Sequence, residues 1–185
     1  MEFSFEHFKV ELRNEPNYDV NSSDNSNSYQ LEHFAGERKN YANCHGIKVR
    51  GTEHEFNAVV LADGGGTGIH SSCATINANE LLLCCGDHVF CLVLPSLELK
   101  WKVKADEATC LELYPMDDAY IVHGELEISR IDNSGNIVWQ QGGEDIFIHP
   151  EGNNNFKLTP ERIEVSDWNN RQYSFDVDGN VLKNN

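Results

Sequence analysis

The side chains best equipped for chemistry in this chain are its thiols and imidazoles, and their spacing argues against a catalytic or metal centre. Six cysteines (Cys44, Cys73, Cys84, Cys85, Cys91, Cys110) form no C-x-x-C pair, and the eight histidines are dispersed. A zinc site needs about four nitrogen or sulfur donors converging at about 2 Å. The nearest combination, Cys44, His54, His70 and Cys73, fits no finger spacing. There is no H-E-x-x-H, no G-x-S-x-G and no phosphate loop closing on Gly-Lys-Ser. Gly64-Gly65-Gly66-Thr67-Gly68 follows Asp63 and precedes no lysine, so it reads as a mobile turn and not as an anion cradle. Asp176-Val177-Asp178-Gly179 begins like a calcium loop but lacks the closing glutamate, so it also reads as a turn. No catalytic residue, metal or cofactor is expected, and the chain reads as a binding protein and not an enzyme.

The chemistry that remains is that of carboxylates. Against 14 lysines and arginines stand 30 aspartates and glutamates, a formal charge of −16. Such a surplus repels nucleic acid and anionic membranes and steers basic proteins inward. Two acidic pairs, Asp106-Glu107 and Glu144-Asp145, occupy corresponding places in a repeat described below, as do Asn79-Glu80 and Asp117-Asp118. If the repeats stack, each set lines one edge. Asp106, Glu107, Asp117, Asp118, Glu144 and Asp145 are therefore the candidate partner-binding residues, with Tyr114 and Tyr120 as aromatic anchors.

The N-terminus Met1-Glu2-Phe3-Ser4-Phe5-Glu6 lacks the basic and apolar regions of a secretory leader, and no apolar run approaches the roughly 20 residues of a membrane-spanning helix. A cytoplasmic location is expected, with the cysteines as free thiols in the core.

Positioning falls to strands. Residues 3–12 alternate apolar and polar, a half-buried strand. A polar stretch spans about 14–30, with nothing to bury across 21–28, and reads as loop or disordered insert. Residues 29–45 read as short helix or loop; Ile47–Val49 and Phe56–Leu61 read as strands. From about residue 75 the chain repeats. Sliding 79–107 forward by 38 places Gly86 on Gly124, Phe90 on Ile128 and Trp101 on Trp139 without a gap. A looser third unit runs from Phe156, with Arg171–Asp176 as an added strand, and repeats the Asp-x-x-Gly-Asn turn at Asp176–Asn180. Trp101 and Trp139 read as core residues of equivalent strands. The fold class is mainly β: one domain over 1–185, an antiparallel meander of hairpin repeats over about 75–185, and little helix.

Ile131-Asp132-Asn133-Ser134-Gly135-Asn136-Ile137-Val138-Trp139 and its echo ending in Trp101 resemble β-propeller blades of the quinoprotein and WD kinds. That resemblance implies blade-like hairpins. Two clear units and one irregular one are too few to close a ring, which leaves an open or partial propeller or a two-sheet sandwich. In kind, a small acidic chain without catalytic motifs is also similar to bacterial toxin-immunity proteins, including those of contact-dependent growth inhibition. This similarity implies stoichiometric binding over the active site of a basic toxin, such as a nuclease. The alternative is a β-repeat scaffold or regulatory module that binds a protein or peptide.

Overall fold

A computed structural model describes residues 1–36, 41–149, 151 and 155–182, and within them there are strands and turns but no helix. The first sheet contains β1 (Glu2–Phe5), β2 (Phe8–Asn14), β3 (Leu31–Phe34), β4 (Asn43–Arg50) and β5 (Glu55–Ala62), in the order β1-β2-β4-β5-β3. The second is a meander of β6 (Ala74–Asn77), β7 (Glu80–Cys85), β8 (His88–Val93) and β9 (Glu98–Lys104). The third repeats it with β10 (Cys110–Pro115), β11 (Ala119–Gly124), β12 (Glu127–Asp132) and β13 (Ile137–Gly142). The fourth holds β14 (Phe156–Leu158), β15 (Arg162–Ser166) and β16 (Gln172–Asp176). All pairings are antiparallel except β3 with β5.

The register of the repeat differs from the gapless one. Cys84 pairs with Val89 and His123 with Ile128, so the second and third strands of the two meanders lie 39 residues apart. Cys91 pairs with Trp101 and Arg130 with Trp139, so the fourth strands lie 38 apart. Both meanders carry the same register shift, at Cys91/Leu92 and Arg130/Ile131, so the odd residue lies in the turn that follows: paired Leu92 and Leu99 are seven apart in sequence, Ile131 and Ile137 six. Because side chains alternate faces, a one-residue slip decides burial. Phe90 therefore answers to Ser129 and not Ile128, while the buried Val89 and Leu92 answer to the buried Ile128 and Ile131.

Each meander is stitched to the next by its tryptophan. Trp101 Nε1 donates to the Asn133 carbonyl at 3.2 Å, and Trp139 Nε1 to the Val177 carbonyl at 3.0 Å. Both rings lie on the glycine of an Asp-x-x-Gly-Asn turn. Gly135 and Gly179 share φ of +83°, and a Cβ there would come within 2.6 and 2.7 Å of the rings. The turns themselves match: Asp132 accepts from Ser134 N and Asn136 N, Asp176 from Asp178 N and Asn180 N. At the start of the series His33 takes the tryptophan's part, its Nε2 2.8 Å from the Leu97 carbonyl.

One core joins the first three sheets through residues such as Val60, Leu82, Phe90 and Tyr120. A second joins the third and fourth through Ile121, Ile128, Phe147, Phe156 and Phe175. The outward face of the first sheet (Cys44, Val59, Leu61) is covered by Tyr18, Val20 and Tyr29. The polar stretch thus contains no strand but is pinned down: Glu15 accepts from Asn27 Nδ2 at 2.8 Å and from the Tyr29 hydroxyl. On the other face of the fourth sheet Lys157, Glu164 and Ser174 are in register, Lys157 exposed and Ser174 buried.

Three expectations change in detail. Residues 3–12 are a hairpin and not one strand, because the apolar parity flips between Phe5 and Phe8, where Glu6 takes φ of +51°. Part of the 29–45 stretch is β3, while 37–40 lie outside the described residues. Arg171–Asp176 is not an extra strand: β16 is the third strand of its unit, and the Phe175–Val181 bridge begins the fourth.

Candidate docking cleft

The meander fixes where each predicted acid lies. The β9–β10 and β13–β14 links, which carry Glu107 and Glu144-Asp145, are at the end of the sheets where β7 and β11 finish. The β10–β11 turn, which carries Asp117-Asp118, is at the opposite end. The two sets of acids therefore lie at opposite ends of the sheets. Asp106 is not at the surface at all: it is 1 % exposed. Its Oδ1 accepts from Ala108 N and Thr109 N at 2.6 and 2.7 Å, and its Oδ2 from Leu126 N and Glu127 N at 2.9 and 2.8 Å. It closes one link and ties it to the next hairpin, which is structural work.

The other acids are spent to different degrees. Glu107 is exposed and pairs with Lys104 at 2.7 Å. Glu144 pairs with Arg171. Asp145 accepts from Asn169 Nδ2 at 2.6 Å. Tyr120 is buried, its hydroxyl accepting from Asn77 Nδ2 at 2.8 Å, and so anchors the core and not a partner. Tyr114 donates to Glu112 at 2.9 Å and stacks on Phe156 at 4.9 Å. Its phenol is thus engaged between the third and fourth sheets, and burial followed by the Glu112 bond raises its pKa.

Asp117 and Asp118 stand on a cleft between the third and fourth sheets. Pro115, Met116, Asp117, Asp118, Arg130, Leu158, Thr159, Pro160 and Val177 line a space of about 460 Å³. The sequence builds it simply. Pro115 ends β10, where it pairs with Tyr120, and Pro160 sits in the β14–β15 turn, where its ring keeps the turn out of strand pairing. Arg130 forms the floor. Its guanidinium meets both Asp118 oxygens at 3.0 and 3.2 Å, the Val177 carbonyl at 2.9 Å and Asp178 at 3.3 Å. Its side chain is only 12 % exposed, whereas those of Asp118 and Asp178 are 76 % and 75 % exposed. Asp117 is exposed and forms no ion pair among the described residues. Two carboxylates thus meet one guanidinium and a third, that of Asp117, lines the same cleft, leaving net negative charge beside apolar side chains.

Sequence reasoning identified Asp117 and Asp118 but missed Arg130, Asp178 and the apolar side chains. A signal existed for Arg130: it occupies the place that holds the buried Cys91 in the preceding unit. Asp178 was visible only as a turn residue, because its neighbour across the cleft is 60 positions away in the chain.

The remaining chemical candidates stay apart. Among the described residues no group of three His, Cys, Asp or Glu side chains could hold a metal ion. All six cysteines are free and buried. Burial pushes the Cys44 thiol up to about 11 and the Cys91 thiol, which also faces Glu80, up to about 12. The glycine loop is not loose: Thr67 N donates to Asn43 Oδ1 at 2.8 Å and Gly86 N to the Thr67 hydroxyl at 2.9 Å. Beside it lies His45, 1 % exposed, its pKa brought down to about 4 by burial.

Comparison with solved structures agrees with this architecture. The chain is similar to the β-propeller domain of Myceliophteria thermophila Cps50 (Swd1), with a TM-score of 0.50 and 10 % identity over 74 % of this chain and 53 % of that one. It is similar to the computationally designed Ika4 protein, with a TM-score of 0.50 and 10 % identity over 65 % of this chain and 76 % of that one. It also matches the Neurospora crassa Pan2 WD40 domain, with a TM-score of 0.47 and 16 % identity over 60 % of this chain and 36 % of that one. The chain thus spans about a third of the Pan2 domain and about half of the Cps50 domain. No protein-family model matches the chain and no curated protein matches it in sequence. The blade-like character of the repeats is shown; similarity at this identity speaks to the fold alone.

Proposed function

We propose that this chain is a non-enzymatic β-repeat module that binds a cation-bearing protein. The observation that carries the reading is the cleft between the third and fourth sheets, where unneutralised carboxylate charge borders apolar side chains. Apolar area supplies affinity, and charge supplies orientation and rate. The whole-chain charge of −16 extends that attraction into solution. A toxin-neutralising role, in which a basic nuclease is the partner, is the narrower form of the same reading. What supports it is charge and the absence of catalytic motifs; the comparisons supply no further support.

The test is association kinetics with a basic protein encoded beside this chain's gene, against an acidic protein of similar size. The reading expects association with the basic protein to slow by about tenfold or more from low to physiological salt. A rate indifferent to salt, or equal binding of the acidic protein, refutes it.

A further inference from the structure

Resting on that reading, we infer that the cleft recognises an extended segment in which an arginine or lysine adjoins an aliphatic residue. The aliphatic side chain would enter between Met116 on one wall and Leu158 and Pro160 on the other, with Val177 behind. The neighbouring cation would meet Asp117 and the outward oxygens of Asp118 and Asp178 at the lip. In an extended chain successive side chains point opposite ways, so a basic residue next to the buried aliphatic one reaches outward to the rim.

Charge selects this occupant. Nucleic acid or an anionic lipid would face three carboxylates against one guanidinium. A second copy of the chain would bring its own charge of −16. A metal ion would have to compete with Arg130, which already holds two oxygens of Asp118 and stands 3.3 Å from Asp178. The same guanidinium, held on the Val177 carbonyl, fixes Asp118 and Asp178 at a set separation. It makes Arg130 a positioning residue for the lip.

The experiment titrates the nitrogen-15-labelled chain with a peptide of alternating leucine and arginine and with its leucine–glutamate counterpart. Binding of the first peptide should shift the amides of Met116, Asp117, Asp118, Thr159 and Val177 and leave those of Glu107 and Glu144 in place. Asp117→Asn, a surface change that leaves the Arg130 contacts intact, should weaken binding by about two- to fivefold, as for the loss of one exposed ion pair. Leu158→Ala should weaken it about tenfold. Binding whose amide shifts map elsewhere overturns the inference and leaves the wider reading standing. Failure of both the peptide and basic proteins to bind refutes both. Binding of the glutamate peptide with equal affinity overturns the inference as well.

Discussion

Removing the Asp106 carboxylate tests how far the repeat's links, and not only its sheets, hold the sheets together. Asp106 is 1 % exposed and accepts four backbone N–H bonds between 2.6 and 2.9 Å. Two come from its own link and two from the β11–β12 turn, so the side chain joins the second and third sheets. A hydrogen bond to a charged acceptor contributes about 1.5–3 kcal/mol, and a buried donor left unpaired costs a similar amount. The four bonds are not additive, because water enters once the first is lost. Breaking such a buried ionic network costs about 3–5 kcal/mol in all. Asp106→Asn keeps the size but turns an N–H toward two donors, which costs about 2–4 kcal/mol. Glu107→Gln, one residue away and exposed, loses only a surface pair with Lys104 and should cost less than about 1 kcal/mol. Urea unfolding followed by tryptophan fluorescence measures both. Asp106→Asn unfolding within about 1 kcal/mol of wild type would refute the structural role.

Gly135→Ala and Trp101→Ala should each destabilise by more than about 1 kcal/mol, and the double variant by clearly less than their sum, because φ of +83° and the ring contact belong to one stitch. Between about pH 6.5 and 4 stability should fall with acidification, because unfolded His45 takes up a proton that the buried ring refuses. The loss is at most about 3 kcal/mol, and His45→Gln should flatten that part of a pH–stability profile. At lower pH a further loss is expected from Glu112, whose pKa is lowered first by its bond with His123. Its contribution is present above about 4.5 and vanishes as pH falls through the folded value, so Glu112→Gln should blunt the most acid limb. A thiol reagent should leave the native chain unmodified and label all six cysteines only after unfolding, since each is buried.

What was legible in the sequence was local. Trp101 and Trp139 with their turns announced equivalent strands, and the cysteines inside apolar runs announced a thiol-rich core. The one-residue slip between meanders was not legible, because residue similarity alone cannot show that the β8–β9 turn is one residue longer than the β12–β13 turn. The hairpin at Glu6 was legible in the parity of Phe3, Phe5, Phe8 and Val10, yet a count of alternation passes over it. Asp106 and Glu107 looked alike as a doublet. Only tertiary structure separates a carboxylate that four amides enclose from one that meets solvent. The cleft joins residues 115–118, 130, 158–160 and 177 through the stacking of two sheets, which no local pattern encodes.

The central claim is that the carboxylates beside this cleft, and not the acid surplus at large, dock a cation-bearing partner. The most direct measurement is the salt dependence of partner affinity in two charge-neutralised variants of equal net charge. One carries Asp117→Asn and Asp178→Asn at the cleft, the other Glu107→Gln and Glu144→Gln at the opposite end of the sheets. The account predicts a shallower salt slope and weaker binding for the first, with the second close to wild type. Equal slopes in the two variants, or a larger effect from the second, would contradict it.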